Sequence, residues 1–220
     1  MGNALSRVPS LEELDAYNVN RKGQYEAVRQ SLYDFQAWGA SGVGVTQYSF
    51  FQVPVGQSSK TKADTNMTTA GILPSPIKFF VQSVEVYFFP GGEIARNFTA
   101  AGDPDIWSDD IEAFYNGVSF LEIIVGSKTY LTEAPLVRMP PKAKIKGNFA
   151  ISGTFTATAG NLLDMSSADG RPYFIDPGIF IPSMQNFNVQ INWPTALTLP
   201  SAADARLGIV LDGLLYRLSQ

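Results

Sequence analysis

Carboxylates are the side chains best placed to do chemistry in this chain. Asp103, Asp105, Asp109, Asp110 and Glu112 lie close together in one stretch. Hard cations take several carboxylate oxygens, so Asp103, Asp105, Asp109 and Asp110 form a candidate calcium site. The stretch lacks the spacing and turn glycine of an EF-hand loop, and a solvated acidic start to a helix accounts for it equally. A pair of carboxylates could also hydrolyse a glycoside, but such a pair is assembled in space and none stands out along the chain.

What is missing narrows the chemistry further. The 220 residues include no His and no Cys. Without His the chain lacks the usual general base, the commonest metal ligand and every Ser-His arrangement. Without Cys there are no disulfides, thiolate metal sites or thiol nucleophiles. Gly91-Gly92 does not have the Walker or dinucleotide spacing. Lys142, Lys144 and Lys146 could touch phosphate, or could guard a strand face against wrong pairing. Met1-Gly2-Asn3-Ala4-Leu5-Ser6 matches the N-myristoylation pattern, which acts only in a eukaryotic cytoplasm. The sequons at Asn66 and Asn97 matter only in a secreted protein, and neither a signal-peptide core nor a membrane-length apolar run is visible. No catalytic constellation emerges, no cofactor is implied beyond the calcium candidate, and the expectation is a protein that is not an enzyme.

The elements that would position these residues are mostly strands. Lys78–Phe89 (KFFVQSVEVYFF) is aromatic and β-branched, and prolines lie on both sides of it. Read with period two, Phe80, Gln82, Val84, Val86 and Phe88 face one way, and Phe79, Val81, Ser83, Glu85, Tyr87 and Phe89 the other. Large apolar residues on both faces predict a central strand covered on both sides. Gln47–Val55, Phe120–Val125, Thr129–Val137, Ala143–Ala157, Pro172–Ile175, Phe187–Trp193 and Leu207–Leu218 read as further strands. In the last of these, Gly213 marks a bulge or a close backbone approach. The expected core includes Val84, Val86, Phe88, Ile151, Phe155, Val189, Ile191 and Ile209. Ser108 is placed to cap a short helix through Tyr115.

The front of the chain reads differently. Ser10-Leu11-Glu12-Glu13 is a capping-box pattern. Over Gly23–Trp38, Tyr25, Val28, Leu32 and Phe35 fall on one helical stripe, with Trp38 at its end. Residues 1–44 are therefore expected to form a helical arm and Gly-rich linker, and 45–220 the β domain. A lone helix this apolar must bury its stripe. Tyr25, Val28, Leu32, Phe35 and Trp38 are accordingly the expected assembly interface of the arm.

Composition points the same way. Charged residues make up 16% and apolar ones 45%, against roughly 25% charged in an ordinary soluble domain. Either the surface is rich in neutral polar groups, or neighbouring copies cover much of it. A net charge of −4 gives no sign of nucleic-acid binding.

Tyr48–Pro54 (YSFFQVP), Asp64–Phe89, Phe120–Met139 and Gly170–Leu218, with its PYFIDPGIFIPSMQNFNVQINWP and ARLGIVLDGLLYRL, together carry a resemblance. In strand, loop and order, residues 45–220 resemble the jelly-roll major capsid proteins of small tailless icosahedral bacteriophages. The resemblance implies a single jelly roll of two four-stranded antiparallel sheets. It also implies self-assembly into an icosahedral shell around the genome. The implied partners are many copies of the chain, minor capsid or vertex proteins and an internal membrane surface, without sequence-specific nucleic-acid binding. The implied location is the virion, with synthesis in the host cytoplasm. The alternative is a non-catalytic jelly-roll carbohydrate-binding or spike protein, which would present aromatics such as Trp107, Tyr115 and Tyr173 on a groove.

Overall fold

A computed structural model describes residues 25–39, 43–91, 95–97, 107–139, 144–150, 161–167 and 170–218. The elements run β1 (Tyr25–Ala37), β2 (Val45–Phe50), β3 (Lys78–Phe89), β4 (Ala95–Asn97), α1 (Trp107–Asn116), β5 (Phe120–Val125) and β6 (Lys128–Glu133). They continue with β7 (Lys144–Ala150), β8 (Asn161–Ser167), β9 (Tyr173–Ile181), β10 (Phe187–Leu197) and β11 (Arg206–Leu218). Two four-stranded sheets, ordered β1-β11-β3-β9 and β2-β10-β5-β6, make a β-sandwich; β4-β8-β7 form a third, three-stranded sheet. All the pairings are antiparallel.

The core lies between the two larger sheets. Val84, Val86, Phe88, Leu207, Ile209 and Leu211 from the first sheet join Phe50, Leu121, Ile123, Val189 and Ile191 from the second. Six of the expected core residues are buried here; Ile151 and Phe155 lie outside the described residues. Helix α1 closes the sandwich through Phe114. Its ring stacks on Phe88 at 4.4 Å and meets Trp193 and Trp38 edge-on at 5.7 and 6.1 Å. Such offset and edge contacts are the favoured aromatic geometries.

The first sheet departs from the expected pattern in two ways. The helix expected over Gly23–Trp38 is instead a strand, β1, paired with β11 from Tyr25↔Leu218 to Ala37↔Arg206. Long-range pairing with an equally long strand outweighs the local helical spacing, as β context commonly does. The strand period also divides the stripe. Leu32 and Trp38 turn inward and are buried, Val28 sits on the inward side, and Tyr25 and Phe35 turn outward. Residues 1–24 lie outside the described residues.

The second departure is in β3. Gly213 pairs with Val81 and Asp212 with Ser83, so Gln82 is an extra residue in the ladder. A bulge shifts side-chain phase by one residue. Phe79 and Val81 therefore share the core face with Val84, Val86 and Phe88, and Phe80 faces out, unlike the unbroken alternation. The reading of Gly213 stands: a Cβ there would lie 1.9 Å from the Phe80 carbonyl oxygen. Only glycine tolerates that approach.

Candidate functional site

The outward face of the first sheet is the most unusual surface of the described residues. An antiparallel sheet facing water usually alternates apolar inside with polar outside. Here cross-strand registration brings Tyr33 and Phe35 of β1 beside Tyr87 and Phe89 of β3. The Phe35 ring centroid lies 6.4 Å from Tyr33, 5.9 Å from Tyr87 and 6.2 Å from Phe89. Gly208 of β11 lies between them, and a Cβ there would come within 2.0 Å of the Phe35 ring. The glycine thus lets the ring lie flat across the central strand. The Arg206 guanidinium covers that ring at 4.8 Å, a cation–π contact, and Phe89 remains 49% exposed.

A second apolar group occupies the other end of the same face: Phe180, Leu214 and Tyr216, with Tyr25 and Phe80 packed against them. The Lys78 ammonium stands 5.2 Å over the Tyr25 ring. The Tyr216 hydroxyl is buried without a hydrogen-bond partner, and burial pushes its pKa up to about 12. Next to the first group, Glu85 accepts a 2.5 Å hydrogen bond from the Tyr87 hydroxyl. Burial, and then that bond to a carboxylate, push the Tyr87 hydroxyl well above its ordinary range.

The free edge of β1 is tied down by the segment that follows β2. Phe35 N–H donates to the Asp64 carbonyl at 2.7 Å, and Asn66 spans the Tyr33 N–H and the Ser31 carbonyl. Asp34 anchors the tie. One carboxylate oxygen meets the Lys60 ammonium at 2.5 Å, and the other accepts the Phe51 N–H at 2.6 Å. That second bond holds Phe51 at φ 68°, a left-handed conformation. Burial raises the Asp34 carboxyl above its ordinary value, against the pull of Lys60 and of the Phe51 N–H. A raised carboxyl can mark a reactive group. Here both oxygens are engaged and the side chain is 1% exposed, so Asp34 acts as a clamp.

The outward face of the second sheet is mainly polar, with Phe120 and Ile124 of β5 half-buried among its amides. Gln47 donates to Gln190 at 2.8 Å and to Asn192 at 2.9 Å, and Thr132 reaches Glu122 at 3.3 Å.

The residues singled out from the sequence fall only in part among the described ones. Asp103 and Asp105 lie outside the described residues, and Asp109 and Asp110 stand in the first turn of α1. Asp110 is buried and accepts the Ser201 N–H and hydroxyl at 2.9 and 2.5 Å, tying the helix to the β10–β11 connection. Among the described residues no cluster of three acidic side chains could hold a metal. Tyr115 and Tyr173 are not groove aromatics on loops. Tyr115 lies in α1, buried, donating to the Val86 carbonyl at 3.1 Å, and Tyr173 lies in β9 and donates to Glu133. Trp107 begins α1, and Lys144 and Lys146 lie on β7; Lys142 lies outside the described residues. The clamp of Asp34 and Lys60 had no sequence signal, because its members are far apart in the chain and one sits in a polar loop.

Comparison with protein-family models, with curated proteins and with solved structures finds no match.

Proposed function

We propose that this chain is a shell-forming structural protein, a jelly-roll major capsid protein of the kind found in small tailless icosahedral bacteriophages. The observation that carries the reading is strand order. With the three-stranded sheet set aside, the eight remaining strands, numbered along the chain, fall into sheets ordered 1-8-3-6 and 2-7-4-5. Two interleaved Greek keys produce this order, the arrangement of jelly rolls in capsid and lectin domains. A shell subunit also accounts for 16% charged residues and for an aromatic outward face that one copy leaves partly open. Many copies of the chain are its main partners, and the virion is its location. Minor capsid or vertex proteins and an internal membrane surface are secondary partners in this reading. Residues 1–24 remain the candidate arm, and β1 belongs to the sandwich.

Purified chain should form large closed particles as its concentration is raised, seen by sedimentation and electron microscopy. A monodisperse monomer at high concentration would overturn the proposal. The rival reading, a non-catalytic carbohydrate-binding or spike module, has the same fold, but two of its marker aromatics, Tyr115 and Tyr173, are committed to intramolecular bonds.

A further inference from the structure

The geometry points to a binding site for an anionic sugar, a hexose unit bearing a carboxylate or phosphate, at one end of the sandwich. A cleft of about 660 Å³ opens where the β5–β6 turn, the β9–β10 connection and the start of β3 meet. That volume is in the range of small-ligand sites. Among the described residues its polar lining is Lys128, Ser127, Tyr130, Ser183 and Gln185, with Lys78 beside them, and none of those described is Asp or Glu. In a chain of net charge −4, Lys128 at an exposed turn, with no carboxylate among the described lining residues, is a local reversal of sign.

The walls are pre-formed. Gly126 N–H donates to the Asn186 carbonyl at 2.7 Å, Phe187 N–H to the Gly71 carbonyl at 2.7 Å and Met184 N–H to the Leu73 carbonyl at 2.8 Å. Gly126 has φ +64°, and a Cβ on it would stand 2.7 Å from the Gln185 amide nitrogen. The turn can therefore press against the facing connection only as glycine.

Each part of the lining suits one part of the ligand. Lys128 is an exposed cation at the turn and pairs with the anionic group. Ser127, Ser183 and Gln185 offer hydroxyls and an amide to sugar hydroxyls. Tyr130, 53% exposed, offers ring surface to the apolar face of a pyranose. The site does not depend on whether copies of the chain assemble.

Titration calorimetry on the full chain tests this, with glucuronate and glucose 6-phosphate as probes and glucose and inorganic phosphate as comparisons. Both anionic sugars should bind, more weakly as salt is raised, and glucose should bind far more weakly. Lys128→Gln, on an exposed turn, should weaken both by about tenfold, the size of one charge-assisted contact. Tyr130→Ala should weaken them while leaving the fold intact by circular dichroism. Failure of both anionic sugars to bind, or binding by both variants as tight as by the unmodified chain, would overturn the site. Inorganic phosphate binding as tightly as glucose 6-phosphate would overturn the sugar assignment.

Discussion

The outward faces of the two large sheets solve the same problem in opposite ways. The second sheet meets its surroundings with Gln47, Gln190, Asn192, Thr132 and Glu122, linked side chain to side chain. Such a face is content in water. The first sheet presents Tyr33, Phe35, Tyr87 and an exposed Phe89 at one end, while Phe180, Leu214 and Tyr216 at the other are buried within the chain. An aromatic group left half open to solvent, as around Phe89, is a marker of interaction rather than of a solvated surface. The low charge of the chain therefore has two causes: neutral amides replace charges on one face, and aromatics replace them on the other.

The largest expected effect comes from removing the outer strand of the aromatic sheet. Deleting residues 1–38 takes away β1 with its core residues Leu32 and Trp38. Leu32→Ala alone should cost about 2–5 kcal/mol, much of a stability of about 5–15 kcal/mol. The deletion should abolish cooperative urea unfolding, whereas deleting residues 1–24 should preserve it. A cooperative transition in the longer deletion would show that the first sheet does not need β1.

Next in size is the clamp on that strand. Lys60→Met leaves the Asp34 carboxylate buried without its ammonium, and breaking a buried pair from one side costs about 3–5 kcal/mol. Asp34→Asn with Lys60→Met together should recover part of the loss in the same urea experiment. A double variant no more stable than Lys60→Met would mean that the charge itself is not what the fold must satisfy.

A direct contrast of the two faces follows. Phe89→Lys on the first face should reduce particle formation with a stability change within about 1 kcal/mol, since the side chain is half exposed. Gln190→Lys on the second face should leave both unchanged. Equal effects on sedimentation would remove the distinction drawn between the faces.

The smallest effect is with pH. Asp64 is held below the usual carboxylate range, first by the Thr61 N–H and then by the Thr61 hydroxyl. Its contribution is present above its unfolded pKa and lost as pH falls through the lower folded value. Asp34, raised by burial, has the opposite sign: its charged form is penalised above its folded pKa, and the penalty fades as pH falls through it. Asp64→Asn should therefore flatten the acid side of the stability curve by less than about 1 kcal/mol, measured by urea unfolding between neutral pH and pH 3. A steeper acid limb in the variant would contradict the sign.

The strands that were readable in advance carried their own phase marker. Phe187–Trp193 alternates large apolar with amide side chains, and β10 begins at Phe187 and runs on to Leu197. The bounds expected for β3 and β5 match those observed. The bulge at Gln82 was hidden because β3 is apolar on both faces, so nothing along it shows a phase slip; only Gly213 on the partner strand betrayed it. Tyr25, Val28, Leu32 and Phe35 misled because a spacing of three and four suits a helix, while the strand that captures them is almost two hundred residues away. The candidate site fared worst. The cleft draws on the turn at Gly126, the connection at Ser183 and the start of β3, segments with no shared motif.

The segment tied to β1 through Asp64, Thr65 and Asn66 occupies hydrogen-bonding positions from Ser31 to Phe35 that another strand would otherwise take. An open strand edge recruits copies in a line, each exposing a fresh edge to the next, and such growth has no natural end. With those positions filled from within, copies cannot add there as further strands. Contact through broad faces instead carries an angle with it, and repeated angles can return a ring of subunits to its start. The seal thus favours objects of finite size over fibres.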